Sequence, residues 1–142
     1  LEAWINEKDE DYLMDKFDIR PGEIRVKLEV ADWLLYAAEE LAALSDHKSV
    51  IKEIRKLRIR VKHGTKEELL PLLKLKGIGR IRARKLYSSG CKDLRDLKKV
   101  DLTSLAQILG KAIAEDVKKQ VGEEIKEVAS GKRTGQLSIT KF

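Results

Sequence analysis

The sequence is short of the residues that build several common kinds of site. One cysteine among 142 residues excludes an intramolecular disulfide and a cysteine-based metal centre. The two histidines, His47 and His63, have no neighbouring nucleophile or metal ligand in the sequence, so we expect them in capping or surface positions. No apolar run approaches the ~20 residues that a membrane-spanning helix requires. We therefore expect a soluble, cytoplasmic chain without a metal site.

Catalytic motifs are missing as well. The sequence has no G-x-x-x-x-G-K-[ST] phosphate loop, so this chain is not expected to hydrolyse ATP by itself. We assign it no catalytic residue and no cofactor. Because the chain starts at Leu1 rather than at a methionine, we expect it to be a piece of a longer protein.

Charged residues are abundant and unevenly placed. They make up 38% of the chain, and with one Cys and one Met this composition is typical of hyperthermophile proteins. Residues 1–46 hold 5 Lys/Arg against 13 Asp/Glu, a net of −8, whereas residues 47–142 hold 25 against 11, a net of +14. A polyanion should therefore be attracted to the part of the chain that follows residue 46.

Apolar residues recur at helical spacing almost throughout, which predicts an all-α fold. Pro21 should open a long helix that runs to about Leu44. We expect Ser45 or Asp46 to cap the next helix, and Gly64 to end it after His63. We predict a helical-bundle segment over 1–63, a small domain of short helices over 64–129 and a flexible tail over 130–142; the resemblance given below implies that the second domain is of the helix-hairpin-helix type.

A second set of helices should begin with Thr65 and Glu68 acting as a capping box. Gly110 repeats Gly79 at an offset of 31 residues, and apolar residues around the two glycines match. This indicates two helix–turn–helix units that pack together, with the second serving packing more than binding.

The stretch KLKGIGRIRARKLYSSG, residues 74–90, interrupts a helical pattern with two glycines and then restarts it with arginines. Ile78 should anchor the turn in the core, while the N–H groups of the restarted helix point outward and can hold a phosphate. Such a turn grips the backbone of a nucleic acid without reading its bases. The alternative is a tight turn with no ligand. The predicted DNA-binding residues of this turn are Lys76, Gly77, Ile78, Gly79, Arg80, Arg82, Arg84 and Lys85.

The same stretch, with the following residues 93–117, resembles the helix-hairpin-helix pair of DNA-repair proteins. The run Arg80–Arg84 resembles, more narrowly, the last domain of the archaeal Hjm-type superfamily 2 DNA helicases, and residues 20–44 are similar to the long helix of that family's helical-bundle domain. The resemblance implies an accessory region of an ATP-dependent 3′–5′ helicase of fork repair and recombination. ATP and Mg²⁺ would bind the motor domains of that parent. By the same resemblance, Arg80, Arg82 and Arg84 would hold the single strand and couple its binding to ATP turnover.

Trp33 lies on the predicted long helix, on a face shared with Arg25 and Glu29. An aromatic ring there can stack on a base, and the resemblance favours that role over core packing. The family pattern leads us to expect a basic residue at position 26, where this sequence has Val26. We therefore take Arg25 or Lys27 as the assisting cation, and we assign Trp4 to the core.

The tail places Gln136, Ile139 and Phe142 at a spacing that resembles a sliding-clamp-binding peptide. A single-strand-binding protein of the RPA type is an equally good candidate partner, and a chance match is the third interpretation. For the chain as a whole, two alternatives stay open beside the helicase region. One is a helix-hairpin-helix module of a nuclease, polymerase or topoisomerase, and the other is a protein-docking domain.

Overall fold

The computed structural model describes residues 1–122, and all regular structure in that part is helical. The predicted all-α class is confirmed. Two single 3₁₀ turns, Glu67–Leu69 and Leu72–Lys74, separate four N-terminal from four C-terminal helices. The helices are α1 (Glu2–Ile5), α2 (Glu10–Phe17), α3 (Pro21–Leu44), α4 (Lys48–His63), α5 (Arg80–Ser88), α6 (Leu94–Lys99), α7 (Leu102–Leu109) and α8 (Lys111–Gln120).

The long helix α3 packs against α4 in an antiparallel pair. Pro21 opens α3 as predicted, because the first turn does not need its missing N–H. Arg55 of α4 lies 2.6 Å from Glu39 and Arg58 lies 2.8 Å from Asp32, so the two helices run in opposite directions. The acidic and the basic parts of the sequence therefore meet at this packing interface.

Two predicted helix starts are wrong. The residue that precedes α4 is His47, whose ring donates from Nδ1 to the Ser45 carbonyl oxygen at 2.7 Å, while neither Ser45 nor Asp46 caps the helix. Thr65 is fully buried and does not form a capping box. The Glu68 carboxylate instead binds Arg84, so tertiary contacts override the local capping pattern.

The C-terminal helices enclose one apolar core, and the predicted repeat is visible in it. Glycine precedes both α5 and α8. The matched pairs Ala83 with Ala114 and Leu86 with Val117 have no exposed surface. Cys91 lies in the same core, where burial raises the pKa of its thiol and makes it unreactive.

Gly64 joins the two groups of helices in a way that requires glycine. It ends α4 with φ +63°, a conformation that residues with a Cβ rarely adopt. A Cβ at this position would stand 2.6 Å from the Trp4 ring. The Trp4 indole N–H donates to the Val61 carbonyl oxygen at 2.7 Å, so α1 is fixed to the end of α4.

Among residues 1–122, none of the helices is both long and apolar enough to cross a bilayer. The predicted tail, with Gln136, Ile139 and Phe142, lies outside the described residues. The boundary between residues 63 and 64 stays a prediction.

Candidate nucleic-acid interface

A groove of about 700 Å³ runs between the end of α4, the start of α5 and the end of α7. We call it the basic groove. It brings four cationic side chains together, and none of its lining residues carries a carboxylate. The lining residues are Trp4, Lys62, His63, Gly79, Arg80, Ile81, Arg82, Lys85, Ile108 and Leu109.

The turn before α5 forms one wall of this groove. Ile78 is 4% exposed and packs in the C-terminal core, so its predicted anchoring role is seen in the fold. The Lys76 N–H donates to the Gln120 side chain at 2.8 Å, and that side chain donates back to the Lys76 carbonyl oxygen. These bonds tie the turn to the end of α8.

The two glycines of the turn differ in what they require. Gly77 has φ +76°, which favours glycine. Gly79 has an extended backbone with φ −99°, and a Cβ there would meet no atom within 4 Å. The fold itself therefore does not require a glycine at 79. The space in front of Gly79 is open to a molecule that approaches along the groove.

The basic residues of α5 lie on two different sides of the helix. Arg82 and Lys85 are exposed and line the basic groove. No ion pair in the described part of the chain includes Lys62, Arg82 or Lys85. Within residues 1–122, the Arg82 side chain donates only to the Gly77 carbonyl oxygen, at 2.8 Å. These three cations are available to a phosphate.

Arg80 and Arg84 point toward the turn between α1 and α2. The Arg80 guanidinium lies 5.0 Å from the centre of the Trp4 ring and donates to the Glu7 carbonyl oxygen. Arg84 donates to the Glu7 carboxylate at 2.7 Å and pairs with Glu68 at 2.7 Å. These ion pairs and hydrogen bonds raise the pKa of Arg84. Arg80 therefore takes part in this internal contact and also lines the groove, whereas Arg84 does not line it.

Trp33 and Arg25 lie on α3 and do not line the basic groove. The Trp33 side chain is 65% exposed, so it is not part of a core in the described residues. Arg25 pairs with Glu29 at 3.1 Å, and both side chains are largely exposed. Trp33 belongs to a row of exposed apolar residues that no described residue covers, namely Val26, Val30, Trp33, Leu34, Leu41 and Leu44.

Both groups of helices match known protein families. The family model described as archaeal helicase, domain 4, matches residues 1–64, and a model of the SAM-like helix-hairpin-helix tandem matches residues 69–123. Over 140 residues the chain is 41% identical to the ATP-dependent DNA helicase Hel308 of Pyrococcus horikoshii, which covers 96% of this chain. The chain is homologous to part of the archaeal Hel308 helicases. The resemblance noted in the sequence is confirmed.

Other Hel308 helicases match in the same way. That of Caldivirga maquilingensis is 41% identical over 89% of this chain, and that of Methanocaldococcus jannaschii is 40% identical over 86%. The matched region is 19%, 17% and 10% of the three relatives. The chain therefore spans about a fifth or less of the Hel308 proteins that it matches.

The helicase resemblance and the hairpin motif in the sequence did not predict every residue of the basic groove. Lys62 and His63 come from the end of α4, and Ile108 and Leu109 come from the second hairpin, which we had assigned to packing. Burial and the Lys62 charge lower the pKa of His63, so its ring is largely neutral at pH 7. The repeat was the available signal for Leu109, because it aligns that residue with Ile78.

Proposed function

We propose that the basic groove binds the backbone of single-stranded DNA. The observation that carries the proposal is the convergence of Lys62, Arg82 and Lys85 in one groove. Within residues 1–122 these cations form no ion pair with a carboxylate, and none of the residues that line the groove is acidic. Cations without partners attract phosphates and release counterions when they bind them. The open space in front of Gly79 allows a phosphate to approach the N–H groups at the start of α5.

The apolar part of the groove favours a single strand over a duplex. Ile81 is 71% exposed, and it lies beside Ile108, Leu109 and the cations of the groove. Unpaired bases can lie on apolar side chains while their phosphates contact neighbouring cations, whereas the bases of a duplex are stacked inside it.

In a longer protein, this chain would be the accessory C-terminal region of an ATP-dependent 3′–5′ DNA helicase that acts in fork repair and recombination in the cytoplasm. The relatives are named ATP-dependent DNA helicases, and this supports the proposal. ATP and Mg²⁺ would bind the motor domains of that protein, which would also be partners of this chain. The residues that we propose for the strand are those of the groove and its turn, together with Trp33 and Arg25.

We propose in addition that Gln136, Ile139 and Phe142 bind a protein partner, either a sliding clamp or an RPA-type single-strand-binding protein. The support is their spacing in the sequence.

Titration of labelled oligonucleotides into the 142-residue chain tests the main proposal. We expect a single strand to bind more tightly than a duplex of the same length, and binding to strengthen with strand length until the groove is filled. The logarithm of the affinity should fall with the logarithm of the salt concentration, by ~0.7 for each phosphate contact. Preference for the duplex would favour a helix-hairpin-helix module of a nuclease, polymerase or topoisomerase. Binding that does not depend on strand length or salt would favour a protein-docking domain.

Trp33→Ala tests the proposed contact between the Trp33 ring and a base of the single strand. We expect the affinity for a single strand to fall by roughly 5-fold or more, since stacking on one base contributes ~1–3 kcal/mol. The melting temperature should hardly change, because the Trp33 side chain is already 65% exposed. Binding measured by fluorescence anisotropy and unfolding measured by circular dichroism give both quantities. A loss of ~3–5 kcal/mol in unfolding free energy would assign Trp33 to a core instead.

A further inference from the structure

Glu7 is the residue on which the contacts between the two halves of the chain converge. It lies in the turn between α1 and α2 with φ +67°, a backbone conformation that is uncommon outside glycine. Its carboxylate accepts two N–H bonds from Arg84 of α5 and one, at 3.0 Å, from the Lys66 backbone. Its carbonyl oxygen accepts from Arg80.

The Glu7 side chain is 15% exposed, so this contact lies mostly inside the protein. Burial by itself would raise the pKa of Glu7, but the bonds from Arg84 and Lys66 outweigh it and hold the pKa below its usual value. A two-pronged arginine–carboxylate contact fixes direction as well as distance. Such a contact can therefore set the orientation of α5.

We propose that Glu7 is a positioning residue for the basic groove. By holding Arg80 and Arg84, it fixes the orientation of α5 so that Arg82 and Lys85 face Lys62 of α4 in the groove, which Arg80 also lines. The groove is then assembled from both family regions, and neither region contains it alone. This inference rests on the proposed function for its binding prediction, but the orientation of α5 does not depend on any ligand.

A positioning role for Glu7 and a purely electrostatic effect of its charge predict opposite changes in DNA affinity. Glu7 is a negative charge close to a site that binds a polyanion. If only its field mattered, its removal would strengthen DNA binding. If it positions α5, its removal should weaken DNA binding despite the more favourable charge.

The test uses two variants of the 142-residue chain and one control. Glu7→Gln removes the charge, and Glu7→Asp keeps the charge but shortens the reach to Arg84. Glu2→Gln is the control, because it makes the same charge change at an exposed residue of α1. Residual dipolar couplings from nuclear magnetic resonance give the orientation of α5 relative to α4 without DNA, and anisotropy gives the affinity for a single strand.

We expect the orientation of α5 to be lost or changed in Glu7→Gln and, to a smaller extent, in Glu7→Asp. Affinity should fall about 5-fold in Glu7→Gln, a usual size for coupling within one contact network, and less in Glu7→Asp. It should stay constant or rise in Glu2→Gln.

An unchanged orientation in both Glu7 variants, or tighter binding by Glu7→Gln, would overturn the inference. If the unsubstituted chain does not bind DNA, the proposed function fails, and the couplings alone decide the role of Glu7. If Glu7→Gln does not fold, the orientation and affinity of Glu7→Asp decide it in the same way.

Discussion

Replacement of Lys62, Arg82 and Lys85 together by alanine is expected to weaken single-strand binding roughly 100-fold or more. Each of these cations lines the basic groove and has no carboxylate partner among the described residues. A charge-assisted contact to phosphate contributes ~1–1.5 kcal/mol after its desolvation cost. The slope of the logarithm of the affinity against the logarithm of the salt concentration should become shallower by ~2, since about three phosphate contacts are lost. Anisotropy titrations at several salt concentrations measure both changes.

The matched control removes three exposed lysines elsewhere, with Lys52, Lys98 and Lys99 changed to alanine. The net charge changes by the same amount in both triple variants, and all six positions are helical. We expect the control to lose only a small part of the affinity, through the weaker overall field. Equal losses in the two variants would show that DNA responds to the net charge of the chain and that the groove is not a site.

Leu86→Ala is expected to lower the free energy of unfolding by ~2–5 kcal/mol. Leu86 is a member of the C-terminal core and has no exposed surface, so truncation removes apolar contacts and leaves a cavity. The effect should appear in urea unfolding followed by circular dichroism. At urea concentrations that unfold the helices around the groove, DNA binding should be lost as well.

Ile81→Ala is the control on the same helix. Ile81 is 71% exposed, and changes at such positions usually alter stability by less than ~0.5 kcal/mol. Since Ile81 lines the groove, this variant should instead bind a single strand more weakly while its stability is kept. If Ile81→Ala destabilises the chain more than Leu86→Ala does, the described core is wrong.

Local patterns in the sequence were enough to predict most helices. Pro21 at a first turn, Gly64 at a helix end and the repeat around Gly79 and Gly110 are signals that act within a few residues, and the structure has helix ends at each of them. The short helix α6 was not predicted individually, although Asp93 caps it by accepting N–H bonds from Arg95 and Asp96.

The candidate groove was predicted only in part. The hairpin motif led to Arg82 and Lys85, whose signal is local. It did not separate them from Arg84, because the Arg84 contact is with Glu7, 77 residues away in sequence. The opposite net charges of residues 1–46 and 47–142 were the available signal for contacts such as the one between Arg84 and Glu7. We interpreted them as attraction and repulsion of a polyanion, whereas the acidic part also forms ion pairs with the basic part.

The contact between Gly64 and Trp4 bears on where this protein can be divided. Glycine between two regions usually suggests a hinge, but here the space beside its Cα is filled by the indole ring. The two family models meet near this residue, so the sequence suggests a natural cut. A cut there would separate the Trp4 ring from Arg80 and the Glu7 carboxylate from Arg84. For protein engineering, the unit to transfer or to express is therefore the chain from α1 to α8, with the junction treated as part of its interior.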